Sequence, residues 1–128
     1  MVMVSLNYVK SEGIMSTVSI RKTTGDDYAA IKAAVDQVIA DIGGIEDIIK
    51  PGYKVIIKPN LVACPTDRLS GGVTRWEVCL AIYEAVKALG AEPVIAESSA
   101  AGADTELTIA KCGYQELRDK GIPVIDLK

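Results

Sequence analysis

The sequence predicts an α/β fold, a mostly parallel sheet with helices on both faces in the Rossmann-like manner. Three observations carry this. The short runs Val55-Ile56-Ile57 and Val94-Ile95-Ala96 are wholly apolar, as strands buried on both faces are. Stretches of helical periodicity separate such runs, the alternation that parallel α/β sheets require. Of the 128 residues, 49% are apolar, enough for a packed core rather than a disordered chain. No internal repeat, low-complexity tract or linker interrupts the alternation, so residues 15–128 read as a single domain.

The elements follow in order. Residues 1–14 read as an extension or an expression remnant, with Met15 an alternative start. The alternation Val4-Ser5-Leu6-Asn7-Tyr8 would equally permit a short edge strand. Thr17 to Arg21 reads as a strand and Asp26 to Ile42 as an amphipathic helix, with Ile31, Ala34, Val35, Val38 and Ile42 on one face. Gly43-Gly44 closes that helix. After the Pro51-Gly52 turn comes the strand Tyr53 to Ile57, and later the helix Thr74 to Leu89. Thr74-Arg75-Trp76-Glu77 has the spacing of a capping box, with Thr74 and Glu77 as structural caps. Pro93 opens the next strand, a helix covers Asp104 to Lys111, a turn Tyr114 to Lys120, and Ile122 to Ile125 is the final strand.

Two features point to something beyond this unit. The helix after Thr74 is apolar on two sides, Val78, Ile82, Ala85 and Leu89 on one and Trp76, Leu80 and Tyr83 on the other. The last strand is followed by no closing helix, so the architecture is expected to be incomplete at the C-terminus. The expected partner is a missing C-terminal half or a second copy in a homo-oligomer.

Composition narrows the function. There is no His, which removes the usual general base near neutral pH and the commonest zinc ligand. A net charge of −3 argues against a nucleic-acid binder. No apolar run reaches the roughly 18 residues of a membrane span. Cys64, Cys79 and Cys112 lack metal-site spacing, so no metal is expected here, and free thiols suit a reducing cytoplasm. Residues 1–14 carry only Lys10 as a base and lack the apolar core of a secretory leader.

Ligands of open α/β sheets bind outside the carboxyl ends of the strands. That rim would comprise Lys22 to Asp26, Lys58 to Val73, Glu97 to Ala103 and Asp126. The loop after Lys58 has about fifteen residues without a secondary-structure signal, a length usual for functional loops. Pro59 holds Lys58 extended, so its side chain leaves the strand end in a defined direction. Lys58 would orient a small anionic ligand, Asn60 would hydrogen-bond it, and Glu97 with Ser98 would fix the other side. Lys58, Arg68 and Arg75 give the helix after Thr74 a positive start. No P-loop or dinucleotide fingerprint occurs. From another class, the Trp76, Leu80 and Tyr83 face would serve a non-catalytic interaction or small-anion-binding module.

Pro51-Gly52-x-x-Val55-Ile56-Ile57-Lys58-Pro59-Asn60-Leu61 leads to Thr74, a helix ending Leu89-Gly90-Ala91, Glu97-Ser98-Ser99, Gly113-Tyr114 and Val124-Ile125-Asp126-Leu127. This order resembles the family named domain of unknown function 362, over residues 16 to 128 and about the first half of such a domain. The resemblance implies a redox role linked to a 4Fe–4S cluster, held by ferredoxin-like cysteines in a missing C-terminal portion. None of those cysteines stands in this sequence, so the chain itself is expected to carry no cofactor. Where the family commonly has Thr-Asp-Pro or Thr-His-Pro at the helix start, this chain has Thr74-Arg75-Trp76.

Overall fold

The computed structural model describes residues 4–9 and 15–128. It divides at Ile48 and Ile49 into two compact units.

The first unit begins with a hairpin. Strand β1 (Val4–Val9) pairs antiparallel with β2 (Met15–Ile20), Val4 opposite Ile20 and Val9 opposite Met15. Residues 4–9 thus form the short strand that their alternation permitted. The strand expected at Thr17–Arg21 exists, but its neighbour is β1 rather than a strand of the parallel sheet. Helix α1 (Tyr28–Asp41) starts where the Asp27 side chain accepts the Ala30 N–H at 2.9 Å, satisfying one of the free amides of a helix start. It ends in a Schellman motif, with the N–H of Gly44 donating to the Ile39 carbonyl and that of Gly43 to Ala40. Of its expected apolar face, Ile31 is buried, Ala34, Val35 and Val38 are half-buried, and Ile42 is exposed. Asp41 ties the helix end to the hairpin: it accepts from the Ser19 hydroxyl at 2.6 Å and from Arg21 at 2.7 and 2.8 Å.

The second unit is the parallel α/β element. Its strands β3 (Lys54–Ile57), β4 (Glu92–Glu97) and β5 (Val124–Asp126) lie in that order. Ile57 stands beside Ile95, and Ile95 beside Val124. Helix α2 (Trp76–Ala88) joins β3 to β4, while α3 (Thr105–Lys111) and α4 (Gln115–Asp119) join β4 to β5. Both connections advance the same way across the sheet, so right-handed crossovers carry their helices over one face. On the alternate positions Ile56 and Ile125 stand exposed. The core lies under the helices: Ile57, Leu61, Cys79, Leu80, Val86, Ile95, Ile109, Tyr114 and Leu117 are buried. Tyr114, fully enclosed, fastens the layers, its hydroxyl donating to the Thr74 carbonyl at 3.0 Å and lying 3.3 Å from the Cys79 sulfur. At the opposite end, Gly52 donates to the Gly90 carbonyl at 2.8 Å, and both glycines hold positive φ. A Cβ on Gly90 would meet the Pro51 ring at 3.3 Å, so the two turns close on each other through small residues.

Candidate functional site

Three strand ends meet at one edge of the parallel sheet: β3 runs out into Lys58, β4 ends at Glu97 and β5 at Asp126. Lys22 to Asp26, also expected at the rim, belongs to the first unit.

The segment Lys58-Pro59-Asn60-Leu61-Val62 crosses this edge as a strap bonded on both sides. On one side, the Asn60 N–H donates to the Thr74 hydroxyl at 2.9 Å, and the Thr74 N–H donates to the Asn60 carbonyl at 3.0 Å. On the other, the Leu61 N–H donates to Glu97 Oε2 at 3.1 Å and the Ser99 hydroxyl to the Leu61 carbonyl at 2.7 Å. The Ala100 N–H completes the seam at the Val62 carbonyl, 2.9 Å away. Leu61 is driven into the core at 1% exposure. The residues that carry the motif are therefore those that sew the strap down, through backbone groups that would otherwise be buried without partners.

Glu97 is the centre of this seam and is 3% exposed. Burial alone would raise its pKa. The Lys58 ammonium at 3.1 Å and the N–H groups of Ser98, 2.7 Å from Oε1, and Leu61 outweigh that and hold the carboxyl below the usual range. Lys58 itself is 64% exposed along its side chain, with one further, longer contact to the Pro59 carbonyl at 3.4 Å. Asn60 and Ser98 are exposed, and their side-chain amide and hydroxyl hold no internal hydrogen bond among the described residues. The structure thus brings Lys58, Asn60, Glu97 and Ser98 to one stretch of rim. It gives Glu97 an anchoring place and leaves three groups able to meet a solute.

Thr74 and Glu77 do not form the expected capping box. The helix begins at Trp76, its cap position is Arg75, and no side chain bonds the cap. The Thr74 hydroxyl is already occupied by the Asn60 N–H. Glu77, 5% exposed, instead accepts from Arg68 at 3.3 Å and Arg75 at 3.1 Å. Burial would raise its pKa, but the Arg75 hydrogen bond, its own backbone N–H and the charge of Arg68 hold it below the ordinary value. Arg68 and Arg75, expected to make a positive helix start, both spend charge on this buried carboxylate.

The Trp76, Leu80 and Tyr83 face is not an open docking surface either. Leu80 and Tyr83 are 6% and 8% exposed. The Trp76 ring packs so closely on Gly113 that a Cβ there would lie 3.1 Å from Cδ1, and the Lys120 ammonium sits 5.4 Å from the ring centroid. The chain's own strands and α3–α4 connection cover the helix on this side. The stripe left half-exposed is the other one, Val78, Ile82, Ala85 and Leu89.

Beyond the strap, the loop encloses an open depression of about 400 Å³ lined by Val62, Pro65, Thr66, Asp67, Ser70 and Val73 among others. Thr66, Asp67 and Ser70 fall within the expected rim segment but are not among the expected ligand residues, and Lys58, Asn60, Glu97 and Ser98 are not in its wall. Its polar groups serve the loop: Asp67 accepts the Leu69 N–H at 2.9 Å and Ser70 Oγ accepts the Gly72 N–H at 3.4 Å. The signal in the sequence was the turn-forming Asp67-x-x-Ser70 ahead of Gly71-Gly72. Cys64 is exposed in the same loop, and Cys79 and Cys112 are buried. No cluster of Cys, Asp or Glu able to hold a metal ion occurs among the described residues. A 4Fe–4S cluster needs four thiolates, and three cysteines, one of them bonded to Tyr114, are too few to fit it. No described helix is long and apolar enough to cross a membrane.

A parallel α/β unit whose strap is sewn across the carboxyl edge of the sheet is the class of structure that the fold and rim define. The model of the family described as Domain of unknown function (DUF362) matches residues 55–128, from β3 to the end, and the chain belongs to that family. The matched span begins later than the resemblance from residue 16 implied. The chain is also similar to the thylakoid-associated protein sll1697 of Synechocystis sp. (strain ATCC 27184 / PCC 6803 / Kazusa). The two are 25% identical over 117 residues, covering 90% of this chain and 36% of the relative. The chain thus spans little more than a third of the length of that curated relative. No solved structure matches it.

Proposed function

We propose that the carboxyl edge of β3–β4–β5 binds a small anionic group, a carboxylate or phosphate, as the N-terminal part of a larger cytoplasmic protein. One observation carries this reading. Lys58 is fixed by Glu97 at 3.1 Å yet remains 64% exposed at a strand end, beside the unengaged Asn60 amide and Ser98 hydroxyl. A lysine whose ammonium is held in place by Glu97 while its side chain stays largely in water is a pre-positioned donor with an N–H to spare, which lowers the ordering cost of binding. Asn60 and Ser98 would supply neutral hydrogen bonds on either side. Further sequence of the family, or a second copy of the chain, would complete the site. An iron–sulfur-linked redox role belongs in this reading to residues outside this sequence, because the three cysteines here do not form a cluster site. The cytoplasmic placement rests on the three free thiols. The thylakoid association in the relative's name makes a membrane-peripheral location the competing reading, and cell fractionation separates the two.

Thermal unfolding with inorganic phosphate and with succinate as probes tests the site. At a probe concentration ten times its Kd the wild-type chain gains about 1.4 kcal/mol of stability. Lys58→Ala abolishes that gain and Asn60→Ala reduces it. Equal stabilisation of wild type and both variants refutes the assignment.

A further inference from the structure

We propose that Cys64 and Cys112 join in a reversible disulfide on oxidation, fastening the rim loop to the C-terminal turn of α3. Cys64 is exposed in the loop, and its sulfur rests 3.5 Å from Thr108 Oγ1. The Thr108 hydroxyl proton is directed at the Asp104 carbonyl, 2.7 Å away. Cys64 is therefore the donor of the S–H···O contact, its sulfur held against this face of α3. Cys112 lies one helical turn beyond Thr108, its N–H donating to the Thr108 carbonyl at 2.9 Å, and it is 1% exposed. Side chains on a helix lean toward its N-terminus, which carries the Cys112 sulfur back toward Thr108 and the thiol resting there. Burial first, and then the nearness of a charged Cys64 sulfur, push the Cys112 thiol up. Residues one turn apart have Cβ atoms about 5–6 Å apart, and a disulfide needs Cβ atoms within roughly 4.5 Å. Cys64 lies in a loop without regular structure, so no helix or strand has to break for its sulfur to pass from Thr108 to Cys112. Cys79, buried and bonded to the Tyr114 hydroxyl, stays outside the pair.

With a hydroperoxide as oxidant the step balances. The Cys64 thiol gives up its proton, the thiolate attacks the peroxide, the O–O bond breaks, and a sulfenic acid forms while the departing hydroxide takes up that proton as water. The Cys112 sulfur then attacks the sulfenic sulfur, and the departing hydroxide takes the thiol proton as a second water. Two thiols lose two electrons and two protons, and one hydrogen peroxide becomes two waters. The exposed thiol meets the oxidant and the buried one resolves it. A dithiol reductant reverses the bond.

The test is a non-reducing peptide map of the whole chain after hydrogen peroxide, with free thiols alkylated in denaturant. The expected result is a Cys64–Cys112 link within one chain and Cys79 alkylated. Cleavage of the 62–73 loop by a non-specific protease should slow several-fold on oxidation and recover with dithiothreitol. Cys64→Ser abolishes the protection. Finding Cys112 alkylated in the oxidised protein, with Cys64 present only as its oxyacids or linked to a second chain, overturns the proposal. That readout needs only the wild-type protein, so it stands even if Cys112→Ser fails to fold.

Discussion

Replacing Glu97 with Ala removes, in one step, the acceptor of two backbone N–H groups and the partner of Lys58. The Leu61 N–H lies behind a residue 1% exposed, and leaving such a donor unsatisfied costs about 1–3 kcal/mol. The Ser98 N–H is only partly buried, so water can replace part of its bond. The ion pair adds roughly 0.2–1 kcal/mol, because the Lys58 side chain is 64% exposed. Release of a buried carboxylate from its desolvation offsets some of this, which leaves about 2–3 kcal/mol in total. Lys58→Ala should cost no more than about 1 kcal/mol, since both N–H groups still hold the carboxylate. Glu97→Gln falls between, for a specific reason. Leu61 uses Oε2 and Ser98 uses Oε1, and an amide offers only one oxygen to the two donors. Urea unfolding measures all three, and at a slope of roughly 2 kcal/mol per molar the Glu97→Ala midpoint drops by about 1 M. Amide exchange at Leu61 reports whether the strap itself has come loose. An alanine variant within about 0.5 kcal/mol of wild type, or unchanged protection of the Leu61 amide, would refute the view of Glu97 as the anchor.

Two further outcomes follow from buried or paired groups elsewhere. Tyr114→Phe keeps the ring but leaves the Thr74 carbonyl without its donor, and should cost about 1–2 kcal/mol by urea unfolding; a neutral substitution would show that the hydroxyl does not fasten the layers. Asp41 is held at about 2 by the Ser19 hydroxyl first, then by Gln37 and Arg21. Its folded pKa is depressed, so its contribution to stability is complete above the ordinary value of 3.8 and is lost as pH falls toward about 2. An NMR titration of the Asp41 carboxyl should show that midpoint, rising toward 3.8 in Ser19→Ala; the same midpoint in both proteins would disprove the link between α1 and the hairpin.

The elements were legible wherever local chemistry settles them. Val55-Ile56-Ile57 and Val94-Ile95-Ala96 are strands because short β-branched apolar runs bounded by turn signals favour the extended backbone, even though Ile56 is left exposed. Gly43-Gly44 closes α1 because the Schellman motif places its first residue beyond the cap at positive φ. Lys58 and Glu97 were legible as neighbours because adjacent parallel strands must end at the same rim. The capping box failed at Thr74 because its hydroxyl had a competitor, the Asn60 N–H, fourteen residues away in sequence. The Trp76 face failed because periodicity counts apolar sides but does not say which side the chain's own later residues cover. Gly113 and Tyr114, more than thirty residues on, supply that cover.

By itself the sequence determined the α/β class, the order of strands and helices in the parallel unit, and the edge where Lys58 and Glu97 meet. Those follow from periodicity, glycine and proline geometry, and burial of apolar runs, all of which act over a few residues. Only the tertiary structure decided what the charges do. Glu77 draws in Arg68 and Arg75, whereas Glu97 takes two backbone amides and leaves Lys58 largely in water. It also decided that Cys64 lies on the face of α3 that carries Cys112. Electrostatic and hydrogen-bond partners are chosen by proximity in space, and a buried carboxylate takes whichever donors the packing of apolar neighbours brings within reach.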